Sequence, residues 1–381
     1  MRKIMFMVNG LYGGGAERVL QTILDNLDYN KFDVTVYYLH DEPIDHSIYS
    51  DKPKYKALFC KYHGKYKLVG KIFELKEKIK GKCFLMLPSN IFYTLFVHGK
   101  YDVEIAFIEG ESTKIISGST NRKSKKIAWV HIDLVENPWT AFLYQGVEDE
   151  AKHYRKFDEI LCVSESVRKA FISKFGIQEK KVETQYNPID GQKIREMAME
   201  KCPLPPKTRL RMVTAGRLVR QKGYDRLLRV VKRLKNAGYN FELYILGEGE
   251  ERADLEQYIL ENGLSDMVYM PGFQSNPYSY MKASNLLVCS SRAEGFSTVV
   301  SEGVVLGLPV VSTDCAGVRE LFGNENCGII TENNEDGLYR GLFDVMRQPE
   351  LLRVYHVASL KRGEFFSLRN VITEIESRID I

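Results

Sequence analysis

The run EGFSTVVSEGVVLGLPVVSTDCAG, residues 294–317, decides the fold of this 381-residue chain. Short apolar stretches stand on either side of its first half, Leu286–Cys289 before it and Pro309–Ser312 inside it. Both have the length and aliphatic content of strands buried on two faces, and the segment between them has room for a helix. Strand, helix and strand in that order make one unit of a parallel α/β sheet. Ligands bind such sheets beyond the carboxyl ends of the strands, so the residues after Cys289 come first as candidates. Glu294 and Glu302 lie eight apart, one just ahead of the helix and one roughly a turn and a half inside it. A carboxylate accepting from vicinal hydroxyls holds a ribose, and a sugar ring asks for the same chemistry. The amides of Phe296, Ser297 and Thr298 offer a helix amino end to phosphate. The spacing of the two glutamates carries nothing alone; their setting between buried strands carries it.

Outward from this run the same alternation continues in both directions. Strand candidates in the first half are Lys3–Val8, Asp33–Tyr38, Val103–Phe107, Lys126–His131, Glu159–Val163 and Val182–Gln185. Helical periods fall at Ala16–Asn26, Leu68–Ile79, Ala141–Tyr154 and Val167–Phe175. The turn formers Asn187-Pro188-Ile189-Asp190 and Cys202-Pro203-Leu204-Pro205-Pro206 interrupt the pattern. It restarts with strand candidates Leu210–Ala215, Phe241–Leu246 and Met267–Met270 ahead of the decisive run, and Gly328–Ile330 after it. The expected architecture is α/β, two Rossmann-like doubly wound parallel-sheet domains, with a boundary near Asn187.

The turns after the other strands hold the remaining candidates. After the first strand come Gly13, Gly14 and Gly15 opening a helix, where bare backbone can approach an anion; a tight turn with no ligand is the competing reading. His131 succeeds Lys126–Val130, and a histidine satisfied at a strand end competes with a ligand contact. Gly216 and Arg217 come after Leu210–Ala215, with Lys222 five residues on at a helix start; the pair suits a diphosphate or is simply solvated. Gly247 stands after Phe241–Leu246, and Phe273 ends the turn after Met267–Met270.

With those residues in place, the chain resembles the retaining glycosyltransferases of glycosyltransferase family 4, which have the GT-B fold, two such domains facing a central cleft. The resemblance rests on GGGAER (13–18), WVH (129–131), NPID (187–190), AGRL (215–218), QKG (221–223), GEGEER (247–252) and residues 294–317. It implies an acceptor-binding domain over 1–187 and a nucleotide-sugar domain over 188–364, with a helix in 365–381 crossing back onto the first. It also implies roles. Gly14 and Gly15 meet the donor diphosphate, His131 contacts the donor hexose, and Arg217 and Lys222 neutralise the diphosphate. Glu294 holds the sugar hydroxyls, Glu302 the ribose, and Phe296, Ser297 and Thr298 lend amides. Gly216, Gly247 and Phe273 line the donor site. The resemblance implies retention of configuration, by front-face displacement or with Glu294 as nucleophile.

Composition limits the rest. Charged residues make up 27% and hydrophobic ones 44%, as in an ordinary globular protein, and a net charge of +4 gives no ground for nucleic acid as partner. Between Lys52 and Lys82 eleven lysines face two acidic residues, with aromatic and aliphatic residues interleaved, as suits either an anionic membrane surface or a solvated helix face. Seven scattered cysteines without metal spacing favour free thiols in a reducing compartment. The expected location is cytoplasmic, with peripheral contact on the inner face of a bacterial membrane. No DxD occurs, so no metal or other cofactor is expected. The expected reaction moves a hexose or N-acetylhexosamine from a nucleotide sugar, UDP favoured, to a saccharide acceptor, lipid-linked, in cell-surface polysaccharide synthesis. A non-hydrolysing sugar-nucleotide epimerase and a nucleotide-sugar-binding module without turnover are the alternatives.

Overall fold

The computed structural model describes residues 1–11, 14–40, 49–62 and 67–380. Two compact units result, Met1–Asn187 with Arg369–Ile381 as unit 1, and Pro188–Leu368 as unit 2. Unit 1 has strands β1 (Arg2–Val8), β2 (Phe32–His40), β3 (Lys54–Phe59), β4 (Val103–Ala106), β5 (Lys125–Val130), β6 (Glu159–Cys162) and β7 (Val182–Thr184). Its helices up to Asn187 are α1 (Gly15–Asn26), α2 (Lys67–Met86), α3 (Ser89–Phe96), α4 (Glu111–Ile116), α5 (Val147–Tyr154) and α6 (Glu165–Phe175). Unit 2 holds α7 (Gly191–Ala198), β8 (Leu210–Ala215), α8 (Tyr224–Asn236), β9 (Phe241–Leu246), α9 (Arg252–Glu261), β10 (Val268–Gly272) and α10 (Pro277–Lys282). It continues with β11 (Leu286–Cys289), α11 (Thr298–Val305), β12 (Val310–Thr313), α12 (Val318–Phe322), β13 (Gly328–Thr331), α13 (Glu335–Arg347) and α14 (Leu351–Phe365). A last helix, α15 (Leu368–Ile379), closes the chain.

The sheet of unit 1 runs β3-β2-β1-β4-β5-β6-β7 and that of unit 2 β10-β9-β8-β11-β12-β13. All neighbours in both are parallel. Each sheet is therefore doubly wound, with its strand order reversing between β1 and β4 in one and between β8 and β11 in the other. Helices cover both faces, which is why β4, β9, β11 and β12 are buried along their whole length. In unit 2 the amphipathic α8 turns Leu227, Leu228, Val231 and Leu234 toward Phe241, Leu243, Leu338 and Leu342 in one core. Arg233 and Lys235 in its last turn complement the helix dipole.

Three departures from the sequence expectation have physical causes. The Lys-rich stretch 52–82 starts with an edge strand that the sequence reading did not expect, β3, and α2 comes after it. His63–Tyr66 of that stretch lie outside the described residues, as do Tyr12 and Gly13 of the glycine loop. The expected helix 141–154 is two pieces, a 3-10 turn at Trp139–Leu143 and α5, because Gly146 between them takes φ +109°. The terminal segment breaks after Phe365, and α15 packs within unit 1. There Glu376 accepts from the Asp28 amide at 2.8 Å, and Arg378 pairs with Glu159 and donates to Gln185 at 2.9 Å.

Candidate functional site

Unit 2 builds its site where the strand order reverses. The loops after β8 and β11 are pressed together at Gly223, whose φ is +66° and whose absent Cβ would stand 2.2 Å from the Ser290 carbonyl oxygen. Only glycine allows both that dihedral and that approach. Ser290 Oγ donates to the Lys222 carbonyl at 2.9 Å. Arg226, in the first turn of α8 and only 6% exposed, donates through Nε to Ser290 O at 2.8 Å. Its Nη2 reaches Ser291 O at 2.6 Å and Asn333 Oδ1 at 2.7 Å. A buried guanidinium thus braces the β11 loop from behind.

On that braced loop Lys222 Nζ donates to Glu294 Oε1 at 2.7 Å, and Ser291 Oγ donates to the same oxygen at 2.5 Å. Burial alone would pull the Lys222 ammonium down; the charge of Glu294 and its hydrogen bond outweigh that, and its pKa stands above the ordinary lysine value. Arg217 is exposed and close enough for its charge to oppose that of Lys222. Gly216 N–H donates to Leu246 O at 2.9 Å, and a Cβ on Gly247 would lie 2.0 Å from Gly216 O, so these two turns lie back to back. Gly247 N–H donates to Gly272 O at 2.9 Å, and beside Gly272 Phe273 is 52% exposed. Ser297 caps α11 through its backbone alone; its Oγ is buried without a hydrogen-bond partner. Glu302, inside α11, accepts from Tyr278 Oη at 3.0 Å. Two cations, a carboxylate within reach of hydroxyls and a helix amino end can together hold an anion joined to a polyol.

Unit 1 carries the remaining candidates past β1 and β5. Gly14 is the residue ahead of α1, and Gly15 begins the helix. His131 succeeds β5 with its ring 4.8 Å from that of Phe107 and 5.9 Å from that of Trp129. Burial lowers its pKa to about 3 against a raising hydrogen bond with the Phe107 backbone, so the imidazole is neutral. Its Nε2 is buried with no hydrogen-bond partner. A neutral ring with an open nitrogen can exchange a hydrogen bond with a hydroxyl. Next to it lies Glu109, 3% exposed, whose Oε2 accepts the His131 backbone N–H at 3.0 Å and whose Oε1 accepts Trp139 Nε1 at 3.2 Å. Burial raises the Glu109 pKa.

The structure therefore joins Lys222 to Glu294 and Gly216 to Gly247, and it anchors Glu302 through Tyr278. Gly14, Gly15 and His131 belong to the other unit. Sequence reasoning missed Arg226, Ser291, Tyr278 and Trp139. Arg226 had a usable signal, an arginine directly beside the apolar Leu227 and Leu228 at the start of α8; the others show nothing until the loops are folded.

Residues 198–359 match the family described as glycosyl transferases group 1. Over 370 residues, 96% of each chain, the protein is 29% identical to the N-acetylgalactosamine-N,N'-diacetylbacillosaminyl-diphospho-undecaprenol 4-alpha-N-acetylgalactosaminyltransferase of Campylobacter jejuni. It is 22% identical over 88% of each chain to the amylovoran biosynthesis glycosyltransferase AmsD of Erwinia amylovora. Among solved structures, Anabaena HepE in complex with UDP superposes with a TM-score of 0.74 at 17% identity, covering 100% of this chain and 99% of that one. These likenesses support a glycosyltransferase, and the fold is of the GT-B type.

Proposed function

We propose that the protein is a retaining, metal-independent glycosyltransferase that moves a hexose or N-acetylhexosamine from a UDP-sugar to a lipid-linked saccharide acceptor in cell-surface polysaccharide synthesis. The observation that carries this reading is the Lys222–Glu294 pair at the strand-order reversal of unit 2, with Arg217 and the amino end of α11 in the same unit. As the bond from the anomeric carbon to the diphosphate breaks, the electron pair goes to the diphosphate. Lys222, Arg217 and the helix-end amides meet that charge, electrostatic stabilisation that needs no bridging ion. Glu294 accepts from hydroxyls of the transferred sugar and Glu302 from those of the ribose. Gly14, Gly15 and His131 are assigned to donor contact, His131 as a neutral hydrogen-bonding group. The acceptor oxygen attacks from the side the diphosphate leaves, and its proton passes to a phosphate oxygen, which retains configuration. The C. jejuni relative, whose acceptor is a diphospho-undecaprenol saccharide, supports a lipid-linked acceptor here.

Such an acceptor lies at a membrane, and no helix among the described residues is long and apolar enough to cross one. Contact falls instead to α2, where Ile72, Leu75 and Ile79 recur at helical spacing and are 64%, 59% and 53% exposed. Lys71, Lys76, Lys78 and Lys82 are exposed around them, a composition that fits an anionic interface. The deciding experiment is a panel of UDP- and GDP-sugars read by thermal shift and by release of free nucleotide. Stabilisation and slow release with one UDP-sugar support the proposal. Appearance of a C2 epimer in place of release marks the epimerase, and binding without either marks a module that does not turn over.

A further inference from the structure

Resting on the transferase reading, we infer that Trp139 is a stacking platform for the acceptor saccharide, set in place by Glu109 acting as a positioning residue. A pyranose offers one apolar face of C–H groups ringed by hydroxyls, so it asks for an aromatic surface with polar groups at its edge. Unit 1 provides both where its strand order reverses. The chain has two tryptophans, and their settings differ: Trp129 is 1% exposed in the core, whereas Trp139 is partly exposed. Aromatic rings with a polar handle find a partner for that handle when they pack at a surface, and the partner here is Glu109 Oε1 at 3.2 Å.

The indole tip lies over Gly110, which takes φ +91°; a Cβ there would stand 2.9 Å from Trp139 Cη2. Tyr144 Oη donates to the Gly110 carbonyl at 3.1 Å, pinning the same turn from the other end of the 3-10 segment. Polar groups flank it. Asn9 Nδ2 donates to Glu111 Oε2 at 3.1 Å, and Ser112 Oγ donates to Asn9 Oδ1 at 2.8 Å, with Asn9 and Glu111 both partly exposed. Glu109 links this surface to the transfer chemistry, because its second oxygen holds the backbone of His131 at 3.0 Å. One buried carboxylate thus fixes the platform and the neutral histidine together. Glutamine cannot replace it, since its amide would aim N–H at one of two N–H donors.

The test uses the full chain and octyl glycosides of glucose, galactose, N-acetylglucosamine and N-acetylgalactosamine below their micelle concentrations. Tryptophan emission is titrated without donor, so the readout is independent of turnover. At least one glycoside is expected to change the emission, and the change is expected to vanish in Trp139→Phe, which keeps a ring for folding. With that glycoside as acceptor, Trp139→Ala should raise the acceptor KM at least about 10-fold and leave the donor KM within about two-fold. Glu109→Gln should do the same and also lower kcat. An emission insensitive to every glycoside, a change that persists in Trp139→Phe, or an unchanged acceptor KM in a folded Trp139→Ala overturns the inference. Absence of nucleotide release from wild type overturns the transferase reading instead.

Discussion

His131 should make the protein lose stability as pH falls from 7 to 5, and the size of that loss comes from its surroundings. Folding lowers the imidazole pKa from 6.5 to about 3, chiefly through burial. The unfolded chain then binds a proton at this position below pH 6.5 that the folded chain refuses until pH nears 3. The contribution is fully present above pH 6.5 and is lost progressively as pH drops through that window. At pH 5 the unfolded ring is almost wholly protonated and the folded ring is not, a difference of about 2 kcal/mol at 1.36 kcal/mol per pKa unit. Urea unfolding at pH 7, 6 and 5, monitored by emission from Trp129 beside the His131 ring, measures it. His131→Asn cannot titrate. His153, lowered to about 4 by burial, is common to both proteins and drops out of the comparison. Wild type should lose about 2 kcal/mol more than the variant between pH 7 and 5. Curves that stay parallel within about 0.5 kcal/mol would show that the ring is not held neutral by burial.

Lys222→Ala removes a cation and leaves Glu294 Oε1 with Ser291 as its donor, so UDP-sugar affinity in calorimetry should fall about 10- to 100-fold, the worth of a charged hydrogen bond. Glu302→Ala should weaken the donor similarly, whereas His131→Ala should lower kcat with donor affinity nearly kept. Nucleotide release should survive EDTA; abolition by the chelator with recovery in Mn²⁺ or Mg²⁺ would refute the metal-independent mechanism. Arg226→Met deprives Ser290, Ser291 and Asn333 of their shared donor and should cost about 1–3 kcal/mol in thermal or urea unfolding, with no loss of fold class. Charge reversal at Lys71, Lys76 and Lys78 should abolish flotation with anionic liposomes at low salt, each lysine near the surface being worth about 1 kcal/mol.

Strands buried on both faces were legible because burial leaves them almost wholly apolar, as in Leu286–Cys289. The strand β3 was not. At the sheet edge it alternates Lys54, Tyr55, Lys56 and Ala57, the charged lining that keeps an edge from pairing with another chain, and it reads as part of a basic segment. The short α3 and α4 lack enough turns to show a period. In the candidate site, glycines and basic residues after strand ends announced themselves by position. The contact between Lys222 and Glu294 did not, since 72 residues separate them and only the parallel order β8-β11 makes them neighbours. What Glu109 holds, an amide from one loop and an indole from another, exists only once the chain is folded.

The helix α15 gives the chain an unusual order of assembly. Ile372, Ile375 and Ile379 on it are buried, and it is bonded to β6 and to the turn after α1, elements made before unit 2. Pro188–Leu368 intervenes, so during translation the first-made lobe must wait for its closing piece while the second is finished, roughly 10 to 40 s at 5–20 residues per second. Over that interval the apolar surface that Ile372, Ile375 and Ile379 later cover stays open. Removal of residues 370–381 should therefore harm unit 1 and leave unit 2 able to fold.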